Sequence, residues 1–82
     1  MPWYDFVWNP GIGGNRSHIA EHGIDVSDVE SVVCNPIELR QSRTTRRPIA
    51  IGWSTDGRLI AVVYEQLDPV TVYPITAFEV EA

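Results

Sequence analysis

The sequence predicts a two-layer α+β domain, with two short helices packed on one face of a mainly antiparallel sheet in the order β-α-α-β-β-β-β. Three observations carry this expectation. First, the apolar runs 49–53 (IAIGW) and 59–64 (LIAVVY) flank the polar link Ser54-Thr55-Asp56-Gly57. Asp-Gly between apolar runs marks an antiparallel hairpin, because Gly accepts positive φ and Asp can hydrogen-bond its own backbone. Second, Val26, Val29, Val32 and Val33 recur at helical spacing and form an apolar stripe. Third, the segments after that stripe read as successive strands joined by polar turns, which is the mark of helices and strands kept in separate layers. Eighty-two residues make a single domain, 1–82, large enough for one modest core.

Residues 4–8 (YDFVW) alternate polar and aromatic side chains, as a first strand should, and Asn9-Pro10 stops it. Gly11-Ile12-Gly13-Gly14 is a flexible link; it lacks the Gly-Lys-Ser/Thr ending of a phosphate-binding loop. Asn15 is placed to cap a short helix reaching His22, with Gly23 as its terminator. A second helix opens at Asp25 or Ser27, where Ser27 and Glu30 have capping-box spacing, and ends at Asn35-Pro36. Residues 37–41 (IELRQ) form an amphipathic outer strand, 42–45 a polar turn, and 49–64 the hairpin. In the hairpin's first strand Ile49, Ile51 and Trp53 make a large face and Ala50, Gly52 and Ser54 a small one. The second strand is apolar on both faces, which predicts cover on both sides. Residues 70–76 (VTVYPIT) form the last strand, with Pro74 at an edge or a bulge, and 77–82 are a tail or one helical turn.

The composition narrows the function classes. Apolar and charged shares of 44% and 21% are those of a folded soluble protein. No apolar run approaches the roughly 20 residues of a membrane span, and the N-terminus lacks a signal-peptide pattern, so a cytoplasmic location with no membrane contact is expected. Cys34 is the single cysteine and lies in an apolar run, which predicts a small core residue. Net charge is −5, which argues against nucleic-acid binding by the whole surface. The six cations are all arginine: Arg16, Arg40, Arg43, Arg46, Arg47 and Arg58. Four of them fall in segment 40–47, which has no acidic residue. Arginine's planar fork suits phosphates and carboxylates.

Several pieces together resemble the BrnT-type toxins of bacterial type II toxin–antitoxin systems, within the wider RelE-like group of small ribonucleases. They are Phe6-Val7-Trp8-Asn9-Pro10, His22-Gly23-Ile24 with the helix after it, Arg47-Pro48-Ile49-Ala50-Ile51-Gly52, Asp56-Gly57-Arg58, Val62-Val63-Tyr64 and Pro74-Ile75-Thr76-Ala77-Phe78. They follow the family's order and cover nearly the whole chain. The resemblance implies a RelE-like fold and a toxin that cleaves RNA as a metal-independent endoribonuclease, without a cofactor. It also implies a cognate antitoxin protein that neutralises it.

RNA cleavage without a metal requires orienting the phosphodiester, stabilising charge on its oxygens and moving two protons. The candidates for catalysis are Arg47 and Arg58 for the charge and His22 and Tyr64 for the protons. Arg40, Arg43 and Arg46 are candidates for gripping RNA or a partner. Against these stand plainer readings: Arg58 as a solvated hairpin residue, Tyr64 as packing, and segment 40–47 as a surface for an acidic antitoxin segment. Arg47 and Arg58 lie at opposite ends of the hairpin strands and need not meet. Trp3, Trp8 and Trp53 are core or interface anchors, or one stacks a base. His18-Ile19-Ala20-Glu21-His22 matches H-x-x-E-H, but so short a helix lacks a third ligand, and no metal is expected. A catalytically inactive interaction module on the same fold is the alternative function, and homo-oligomerisation is left open. Convergence of Arg43, Arg46, Arg47 and Arg58 with His22 favours catalysis; dispersal, or pairing with Glu38, Glu65 and Asp68, favours the module.

Overall fold

The computed structural model describes residues 4–9, 11 and 13–80. Its elements are β1 (Asp5–Phe6), α1 (Asn15–Ala20), α2 (Val26–Cys34), β2 (Glu38–Gln41), β3 (Pro48–Trp53), β4 (Leu59–Asp68) and β5 (Thr71–Glu79). This is the expected α+β order. The strands form one five-stranded sheet in the spatial order β1-β5-β4-β3-β2. Only the β1–β5 pair is parallel; the other three pairs are antiparallel.

Both helices lie on one face: α1 packs on β5, and α2 on β3 and β4. Alternation along the strands decides what each face carries. Beneath the helices lie Ala50 and Gly52 of β3, Ile60, Val62 and Tyr64 of β4, and Val72, Pro74 and Ala77 of β5, all buried. With Ile19, Ile24, Val29, Val32 and Val33 from the helical layer they make the core. Cys34 is buried here too, as expected. The small face of β3 is thus the inner one. A Cβ on Gly52 would stand 3.2 Å from the Asn35 carbonyl oxygen, so the glycine lets the end of α2 settle closely on the strand.

The expectation that the second hairpin strand is covered on both sides is wrong. Leu59, Ala61 and Val63 face away from the helices, in register with Trp53, Ile51 and Ile49, and among the described residues no second layer covers them. Leu59 and Val63 are half-buried and Trp53 is 50% exposed. The apolar character of that strand comes from lateral shielding: Ala61, flanked in register by Ile51 and Phe78, is buried by its neighbours within the sheet.

The ends of elements moved in several places. β1 is two residues long, not five. The N-cap of α1 is Gly14, and Asn15 is the first helical residue. A Cβ at Gly14 would sit 2.4 Å from the Asn9 carbonyl oxygen, so the chain passes Asn9 too closely for a capping side chain there. Gly23, at φ 74°, ends the α1 turn as expected. α2 is capped by Asp25, whose carboxylate accepts from the Asp28 N–H at 3.0 Å and from the Ser27 hydroxyl at 2.8 Å. The Ser27/Glu30 box does not form, because Glu30 instead accepts from the Trp8 indole N–H at 3.3 Å. β4 runs on to Asp68. β5 runs to Glu79, replacing the expected tail, and it lies inside the sheet between β1 and β4. Pro74 lies beyond the short β1, which pairs only with Thr71 and Val72. It sits opposite Tyr64 at a register shift between Val63 and Tyr64, the expected bulge, and its carbonyl accepts from the Asn15 amide, so its missing N–H also faces away from β4.

Candidate functional site

The β2–β3 loop carries the arginine cluster. Its closure is fixed by the backbone: the Ser42 N–H donates to the Arg47 carbonyl at 2.9 Å, and the Arg46 N–H to the Ser42 carbonyl at 3.0 Å. The Gln41 side-chain amide donates to the Arg46 carbonyl at 2.9 Å. The turn forces Arg46 to φ 60°, the single positive φ outside glycine among the described residues. Left-handed backbone at a side chain of this size is disfavoured, and such positions concentrate where the surrounding structure or function demands them.

The electrostatics of this arginine-bearing loop, the arginine lip, are one-sided. Arg40 lies against Glu38 of the same strand. Arg43, Arg46 and Arg47 have no carboxylate partner among the described residues. Three guanidinium groups on one exposed loop are thus left free to take up anionic groups.

Arg58 lies elsewhere and is differently employed. It immediately precedes β4 at the far end of the hairpin, about six residues and roughly 20 Å along the strands from the loop. Its Nε donates to both oxygens of Asp56 at 3.0 and 2.9 Å, and its Nη2 to the Gly23 carbonyl at 3.0 Å and to Asp28 at 3.5 Å. The Asp56 carboxylate holds the guanidinium's already high pKa higher still. Asp56 in turn is held below the usual carboxylate range, chiefly by the Ser54 hydroxyl and then by Arg58. Arg58 ties the hairpin turn to the corner between the helices.

His22 is in that corner, exposed, one residue before Gly23. It stands edge-on to His18, with ring centroids 5.4 Å apart, and His18 lies 3.8 Å from Glu21. No group of three or more His, Cys, Asp and Glu side chains placed to hold a metal occurs among the described residues. Tyr64 is a core residue, 7% exposed, on the helix-facing side of β4. Burial pushes its phenol pKa up, and nearby Tyr4 adds to the shift, which opposes its ionisation.

The seven candidates therefore fall into three places. Arg40, Arg43, Arg46 and Arg47 share the β2–β3 end. Arg58 and His22 share the opposite end. Tyr64 is inside. Trp8 is half-buried against the core, Trp53 stands on the open face, and Trp3 lies outside the described residues.

Two features were not read from the sequence. One is the exposure of Ile37, just before β2, and of Leu39 within it, 60% and 64% exposed; the alternation in IELRQ was visible, but not that the helices stop short of it. The other is a groove of about 460 Å³ bordered by Trp8, Arg16, Ile19, Ile24, Asp25 and Glu30, between α1 and the start of α2.

The chain matches no protein-family model, no curated protein and no solved structure. Among the described residues no helix is long and apolar enough to cross a membrane.

Proposed function

We propose that the protein is an interaction module that uses the arginine lip of the β2–β3 loop to bind an anionic partner, and that it does so without catalysis. The observation that carries this reading is the division of the arginines. Arg43, Arg46 and Arg47 are unpaired by carboxylates among the described residues, whereas Arg58 is engaged with Asp28 and Asp56. Catalysis of RNA cleavage needs a charge-stabilising group and proton-transfer groups within reach of one phosphodiester. Here Arg47 and His22 lie at opposite ends of the sheet, and Tyr64 is enclosed in the core.

The second reading is the toxin component of a type II toxin–antitoxin system with a RelE-like fold, a metal-independent endoribonuclease neutralised by a cognate antitoxin. It draws on the order of the sequence pieces and on the suitability of clustered arginines for successive phosphates. One experiment separates the two. Wild type and Arg46→Ala/Arg47→Ala are expressed from an inducible promoter, and growth and RNA integrity are followed. The interaction module leaves both unchanged in either strain. Growth arrest with fragmented RNA in the wild type, relieved in the variant, would overturn it in favour of the toxin.

A further inference from the structure

β2 ends the sheet, and among the described residues no strand lies beside its outer edge. The direction of its backbone groups follows from the register. The Ser42 N–H bonds the Arg47 carbonyl in the same register that pairs Arg40 with Ile49 and Glu38 with Ile51. In an antiparallel ladder residues alternate between bonding the neighbour and facing away from it. Glu38 and Arg40 therefore bond β3, and the N–H and C=O groups of Leu39 and Gln41 turn to the free edge. Natural edges are commonly blunted by proline, lysine or a covering loop. β2 contains neither proline nor lysine, its two charged residues Glu38 and Arg40 pair with each other, and its Leu39 and the preceding Ile37 are more than half exposed.

The chain leaves β2 directly into the loop bearing Arg43, Arg46 and Arg47. An amphipathic edge strand whose exposed Leu39 is followed by unpaired cations is complementary to a segment that alternates apolar and acidic residues. RNA can meet the arginines, but it offers no backbone ladder to the edge and no use for Ile37 and Leu39. Building on the arginine lip as a contact surface, we infer that the free edge of β2 captures an extended acidic segment of a partner protein. The segment adds as a strand beside β2. Its backbone pairs with Leu39 and Gln41, its apolar side chains cover Leu39, and its carboxylates reach the guanidinium groups of the lip.

The test uses the full chain and a labelled synthetic peptide of roughly nine residues alternating Val and Asp, the length of one strand. Binding is followed by fluorescence anisotropy and by amide hydrogen exchange. Binding is expected, with slowed exchange at the Leu39 and Gln41 amides. Leu39→Pro removes an N–H that β3 does not use, and it should weaken binding about tenfold or more. A peptide N-methylated at its valines should lose binding to the same degree without any change in the protein. Arg43→Ala/Arg46→Ala should weaken binding about tenfold and remove most of its salt dependence. Undiminished binding of the N-methylated peptide, with loss only in the arginine variant, overturns the added strand and leaves the lip as a contact surface. Absence of peptide binding, or binding indifferent to the arginines, overturns both.

Discussion

Asp28 and Arg58 meet at 3.5 Å across 30 positions of sequence, joining the first turn of α2 to the start of β4. The same carboxylate accepts from the Thr55 N–H at 3.1 Å and the Thr55 hydroxyl at 2.9 Å. A buried acidic side chain, 4% exposed, thus organises the hairpin turn. Asp28→Ala should lower unfolding free energy by about 2 kcal/mol, since Thr55 loses its acceptors. Asp28→Asn keeps one acceptor oxygen and should lose less. Urea denaturation of the two variants measures the difference. Arg58→Ala should lower the melting temperature while leaving binding at the arginine lip intact.

Asn15 is the second buried polar anchor. Its amide donates to the Val7 carbonyl at 3.0 Å and the Pro74 carbonyl at 2.8 Å, and its oxygen accepts from the Asn9 N–H at 2.8 Å. Asn15→Ala should cost about 2–3 kcal/mol through the carbonyls and N–H left without partners. Asn15→Asp should be worse than Asn15→Leu, because it turns a carboxylate toward two carbonyl oxygens. Thermal melts of the three variants rank them.

These two anchors mark where sequence reading stops. The hairpin, the valine stripe and the α+β order were legible because periodicity and Asp-Gly act locally. The apolar second hairpin strand misled, since flanking side chains within a sheet can bury a small residue as well as a second layer can. Asn15 was read as a cap because asparagine before a helix usually is one. Its actual task, joining β1, the α1 entry and β5, is set by contacts 59 positions apart that no local pattern displays. At the candidate site the cluster of arginines was plain in the sequence. The engagement of Arg58 with Asp28 was not, because it depends on how the helix corner meets the hairpin turn.

Arg46 separates backbone cost from side-chain use. Arg46→Gly relieves the left-handed conformation and should raise stability by up to about 1 kcal/mol, less what the more flexible unfolded chain takes back. It also removes one free guanidinium. Higher denaturation midpoint together with weaker anion binding is the expected pair of outcomes, read by urea titration and by titration with the acidic peptide.

Acid should destabilise the fold through three depressed carboxylates. Asp25 is held below its ordinary value chiefly by the Asp28 N–H and then by the Ser27 hydroxyl. Asp56 is held down by Ser54 and Arg58, and Asp68 by the Val70 N–H and then Thr71. A carboxyl whose pKa is lowered on folding binds fewer protons in the native state. Its contribution is present above the unfolded value of about 3.9 and is lost as pH falls through the folded value. Stability measured by denaturant titration should therefore decline below about pH 4. Asp25→Ser keeps a capping oxygen and should reduce that acid slope.

Tyr64 works in the opposite direction. Its raised phenol pKa means a contribution that is full below about 10 and lost as pH rises through the folded value. Tyr64→Phe should remove this alkaline loss while leaving neutral stability and peptide binding near wild type. Tyr64→Ala should cost about 3–5 kcal/mol, as for other large aromatic truncations in a core.

The parallel pairing of β1 with β5 binds the start of the chain to its last strand, with the Asp5 N–H on the Val70 carbonyl and the Val7 N–H on the Val72 carbonyl. β1 has no strand partner until the β5 segment reaches it. Closing the loop from Asp5 to Thr71 carries the largest entropic cost of the four strand pairings. The β2–β3 and β3–β4 hairpins are local and can form earlier. In refolding, β2 can therefore pair with β3, and the arginine loop take shape, before β1 finds β5 and the sheet is complete.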